Sequence, residues 1–98
     1  NKNWRTDWEK AKLKINTDAQ KELATFNNNL QMMSQMYGKF MDLGMSELGK
    51  YMDMGRQMMM SIVSKLQDGA YAQVQASTQQ LAAINTAISN KLWSSGRP

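Results

Sequence analysis

At 98 residues the chain forms one domain at most, with room for a modest core but not for a deep cleft and the scaffold to support it. It contains no cysteine and no histidine, which excludes disulfides, ordinary zinc sites, thiol nucleophiles and histidine acid/base chemistry. Twelve basic against eight acidic residues give a net charge of +4, enough for loose association with anionic surfaces but too little to argue for nucleic acid alone.

The eight acids are dispersed among the bases at helical spacing, so no carboxylate pair stands out as catalytic machinery. The expectation is a non-enzymatic protein with no cofactor and no small-molecule substrate. Asn1 is expected to be a processed terminus or the edge of a fragment, which leaves localisation open.

The first element is basic: Lys2 to Lys14 holds five bases and two acids, with Trp4 and Trp8 among them. A solvated helix with both rings packed inward is the expected arrangement. The alternative is a surface anchor, with Trp4 and Trp8 touching phosphate or lipid headgroups.

Apolar residues then recur at intervals of three and four from Trp4 through Ile15, Phe26, Met33, Tyr37, Met41, Leu48, Met52 and Met59 to Leu66, which is an α-helical stripe. Thr17 and Gln20 have capping-box spacing, so the stripe is predicted to bend or break between Ile15 and Gln20. The expected order is an N-terminal helix over 1–16, a long Met-rich helix over 17–67, a turn at 68–70, a polar helix over 71–93 and a tail over 94–98.

Within the long segment Tyr37 to Glu47 is echoed by Leu48 to Met58 at a shift of 11, matching Gly38, Lys39, Met41, Asp42 and Gly44 with Gly49, Lys50, Met52, Asp53 and Gly55. Eleven residues make three helical turns, so the repeat is a stripe with a slow right-handed drift. With Gly38 set at zero, a wet arc of roughly 0 to 120° carries Gly38, Gly49 and the Lys and Asp pairs, and the apolar residues fill roughly 140 to 340°. Gly44 and Gly55 fall inside the apolar arc, where a helical glycine costs about 1 kcal/mol relative to alanine. Close approach of a neighbouring backbone or ring is the expected compensation.

All ten methionines lie between Met32 and Met60. Such side chains suit either a contact surface that repacks against several neighbours or an adaptable bundle core, with a lipid-facing role as a third option. An arc this wide needs partners on two flanks, and one shorter helix covers only one of them. A subunit interface is therefore expected at Tyr37, Phe40, Met41, Gly44, Leu48, Tyr51, Met52, Gly55 and Met59.

Gln67, Asp68 and Gly69 form a clear stop, and from Gly69 to Asn90 no residue is charged. Val74, Leu81 and Ile88 give the polar helix a narrow stripe at intervals of seven. No window supplies the roughly 20 apolar residues of a membrane span.

The expected fold class is all-α: a long helix with an 11-residue repeat and a shorter C-terminal helix, forming a hairpin or small bundle that assembles with other copies. The amide-rich, methionine-rich composition and hendecad phasing resemble the DNA-pilot and ejection proteins of small bacterial viruses, which form helical conduits, and also secreted appendage subunits and phasin-like granule coats. The unmatched helix lengths, the over-wide apolar face and the glycine-centred repeat lead to the expectation of a self-assembling structural subunit in a tube, filament or ring, and the resemblance implies a viral or extracellular setting. Its expected partner is a second copy, with weak contact to nucleic acid or lipid as a further option. The alternatives are a lipid- or granule-surface binder and a monomeric interaction module.

Overall fold

A computed structural model describes residues 2–35 and 46–96. Three helices make up these residues: α1 (Lys2–Gln35), α2 (Ser46–Gln67) and α3 (Tyr71–Gly96). They pack as a small bundle whose principal dimensions are 60 × 23 × 17 Å.

The side-chain contacts fix the directions. Trp8 meets Tyr71, and Glu22 and Asn29 meet Asn85, so α1 and α3 run parallel. Glu47 pairs with Lys91 and Lys65 with Ser77, so α2 runs antiparallel to α3. Phe26 of α1 touches Gly55 of α2. A single helix would hold these two residues about 44 Å apart at 1.5 Å per residue, so the expected continuous rod over 17–67 is replaced by two helices lying side by side.

The expected break between Ile15 and Gln20 is also absent. α1 passes through it without interruption, because Ile15 and Ala19 belong to a seam that continues to Phe26 and Met33. The hydroxyl and amide side chains there stay on the outside, where Gln20 Nε2 donates to Asn16 Oδ1 within the helix.

The core recurs at intervals of three, four or seven residues in every helix. α1 contributes Ile15, Ala19, Phe26 and Met33, α2 contributes Leu48, Met52, Met59, Ile62 and Leu66, and α3 contributes Val74, Leu81, Ile88 and Leu92. That spacing gives a heptad seam, the pattern that keeps one side of each helix facing its neighbours. In α2 the fully enclosed positions, Leu48, Gly55 and Ile62, fall seven residues apart. Each large side chain removed from water in this seam contributes about 1.5–3 kcal/mol.

Buried polar groups enter the seam at Ser77 and Thr78 and again, further along, at Asn29 and Asn85. Asn29 Nδ2 donates to Asn85 Oδ1 at 3.1 Å, and Asn85 Nδ2 donates to the Glu22 carbonyl at 3.2 Å and its carboxylate at 2.9 Å. Both asparagines are buried. Because the donors and acceptors meet at one vertical offset only, this cluster fixes the register of α1 against α3.

α2 ends in a Schellman turn. The Ala70 amide donates to the Lys65 carbonyl at 2.9 Å and the Gly69 amide to the Leu66 carbonyl at 3.1 Å, with Gly69 at φ 72°. An L-residue in that conformation costs about 1–2 kcal/mol, so Gly69→Ala is expected to lower the melting temperature by roughly 4–8 °C per kcal/mol lost. A thermal scan by circular dichroism checks this, and an unchanged melting point would show that the turn relaxes.

At the other end of α2, Lys91 Nζ lies 2.9 Å from Glu47 Oε2. The hydrogen bond from Lys91 and its positive charge hold the Glu47 carboxyl below its ordinary value, and the same contact holds the Lys91 ammonium above its own. The Glu47 contribution is present above the ordinary carboxylate range and fades as pH falls through the depressed value. The pair is exposed, so its effect is small.

Candidate interaction site

Viewed along α2 with Gly38 still at zero, exposure grades with angle. Leu48, Gly55 and Ile62, at roughly 240 to 280°, are buried. Tyr51, Met52, Met58 and Met59 flank them and are partly covered. At the two edges, roughly 160° and 340°, Met54 is 51% and Val63 42% exposed, and Met60 beyond Val63 is 68% exposed.

Of the nine residues expected at a subunit interface, Tyr37, Phe40, Met41 and Gly44 lie outside the described residues. The other five are turned toward the chain's own bundle. Leu48 and Gly55 are enclosed, and Tyr51, Met52 and Met59 pack against the core. The physical reason is that α2 has two neighbours from its own chain, α1 and α3, which between them cover these positions. The ring expected in the glycine gap is present, but it is Phe26 of the same chain: a Cβ at Gly55 would overlap Cε1 and Cζ of that ring.

Gly49 behaves differently. It is exposed, and a Cβ there would meet nothing within 4 Å. Gly49→Ala is therefore expected to raise stability by roughly 0.5–1 kcal/mol, read from the urea midpoint. A loss of stability would mean that this side of α2 is occupied.

Along the Met54 edge, α2 and α3 enclose a groove of about 260 Å³ lined by Met54, Gln57, Met58, Ser61, Lys65, Ser77, Gln80 and Ile84. Lys65 Nζ donates to Ser77 Oγ at 3.0 Å across it. The facing side of α3 brings no charge to the groove.

The N-terminal end of α1 corrects the inward-packing expectation for the tryptophans. Trp4 is 59% and Trp8 46% exposed. Trp8 and Tyr71 meet in a T-shaped contact with 6.4 Å between centroids, and Lys12 Nζ lies 6.0 Å and 5.9 Å from the two ring centres. The Arg5 guanidinium stands 5.7 Å from the Trp4 ring centre. Trp8 faces the first residue of α3, so Lys2 to Asp7 continue about 9 Å past the start of that helix, with no α3 residue opposite them.

Sequence reasoning did not single out Met54, Met60 and Val63. Their signal was angular position at or beyond the margins of the apolar arc, which separates half-covered from covered residues only once the number of neighbouring helices is known. Among the described residues, no helix is long and apolar enough to cross a membrane. No protein-family model, curated protein or solved structure matches the chain.

Proposed function

We propose that the protein is a non-enzymatic structural subunit whose copies pack side by side through the edges of α2 into a tube, filament or ring. The observation that carries this reading is the exposure of Met54 on one edge of the apolar arc and of Val63 on the other, with Met60 exposed beyond Val63 on the wet arc, after the chain has closed its own core. A helix buried against one core needs an apolar face of about 100°, and this one spans roughly 180°. A neighbour on each edge covers what α1 and α3 leave open.

The surface of α3 supports close packing, because its outward residues are Ala, Gln, Thr and Asn through Asn90, with no like charges to hold copies apart. Two edges on opposite sides of one helix make head-to-tail contacts, and such contacts generate rings or open filaments. The 11-residue repeat would then set the phase at which successive copies meet.

A second reading, a monomeric helical interaction module, is favoured by the closed heptad core. Light scattering separates the two. Multi-copy particles in dilute buffer are expected, with Met60→Lys/Val63→Lys reducing them to single chains of unchanged helicity. An 11.2 kDa monomer at every concentration overturns the assembly reading.

A further inference from the structure

We propose that the projecting end of α1 docks on an anionic bilayer surface through Trp4 and Trp8, with Arg5 and Lys12 beside them. These four residues fall within an arc of about 100° on α1, the same side that carries Ala19 and Phe26 further along. Toward Phe26 that side is covered by α2 and α3. At Trp4 it has passed the start of α3, and the exposure of both indoles follows from that.

The arc contains no acid. Glu9 lies beside it and is engaged by Lys12 at 2.8 Å, and Asp7 lies outside it. An indole with an apolar body and a cation alongside suits the boundary between headgroups and acyl chains, where the ring enters the apolar layer and the cation stays with phosphate and carboxylate. Tyr71, against Trp8, adds a third amphipathic ring to the same end. The positive charge favours anionic lipid over zwitterionic lipid.

Two other occupants fit less well. A second copy placed end to end would bring two basic segments together, each with five bases against two acids between Lys2 and Lys14. A single strand of nucleic acid would stack its bases on open indole faces, but Arg5 and Lys12 stand over the Trp4 and Trp8 rings. Docking of this kind is open to a single chain and to an assembled one, because it uses the end of the rod rather than its α2 edges.

The test is flotation with vesicles of phosphatidylcholine containing about 30 mol% phosphatidylserine, beside vesicles of phosphatidylcholine alone. Binding to the anionic vesicles only is expected, with release in about 0.5 M salt. Trp4→Ala/Trp8→Ala should weaken it at least about tenfold while leaving the helical circular dichroism intact. Because Trp8 touches Tyr71, Trp4→Ala/Arg5→Gln serves as a second variant that leaves that contact in place, and it too should lose binding. Equal binding to both vesicle types overturns the proposal, as does absence of binding, retention by the folded variants, or preference for a single-stranded oligonucleotide over the vesicles.

Discussion

Phe26→Ala is expected to remove about 3–5 kcal/mol of folding stability, the largest effect of any single truncation among the described residues. Phe26 is the largest of the fully enclosed side chains, and it is the only described one whose ring occupies the place of a missing side chain on the opposite helix. The reverse change tests the same contact from the other side. Gly55→Ala gains about 1 kcal/mol of helix propensity but drives a methyl into the ring, an overpacking that costs about 1–3 kcal/mol. In the Phe26→Leu background the methyl has room, and the two changes together should cost less than the sum of each alone. Urea unfolding of the four proteins measures the coupling. Gly55→Ala more stable than the parent by about 1 kcal/mol, the full gain in helix propensity, would show that Phe26 leaves the gap without cost, and the account of Gly55 would fail.

Asn85→Leu is expected to cost about 1–3 kcal/mol, because it strips the acceptor from the buried Asn29 amide and the donor from Glu22. Glu22 is partly exposed and recovers water, so most of the loss belongs to Asn29. Replacing both asparagines with leucine removes the orphan and should return stability close to that of the parent. What the double variant gives up is register, since a leucine seam tolerates slippage and other partner numbers that a matched amide pair does not. Denaturation together with particle mass checks both halves of the argument. A single Asn85→Leu variant with unchanged stability would show that the polar layer is dispensable.

The helical class, the turn at Gly69 and the seam of the last helix could be read from the chain because each has a local cause: unbroken three-and-four spacing, a residue that tolerates positive φ, and Val74, Leu81 and Ile88 on one side. The path of the Met-rich segment could not. A hydrophobic stripe reports which side of a helix is buried, and it keeps its phase from Met33 to Leu48 whether one axis continues or a second helix lies alongside. The same ambiguity misassigned Gly55. Its need for a close neighbour was visible, but a ring 29 positions away in the same chain and a ring from another copy satisfy that need equally. Asn29 and Asn85 gave no signal, because a buried amide in an amide-rich sequence looks like its exposed neighbours until the opposite helix is in place. Trp4 and Trp8 were read as covered because they sit on the core side, and only the start of α3 at Tyr71 shows that this side has no cover at Trp4.

The odd number of described passes along the rod, three, has a mechanical corollary. α1 starts at one pole and α3 finishes at the other, because the two run in the same direction with α2 returning between them. A pull applied at Lys2 and Gly96 therefore loads the helices in shear along their full contact, with Phe26, the asparagine pair and the Glu47–Lys91 tie sharing the strain. Such a unit can be strung in series within a longer strand and carry tension without being peeled open from one end.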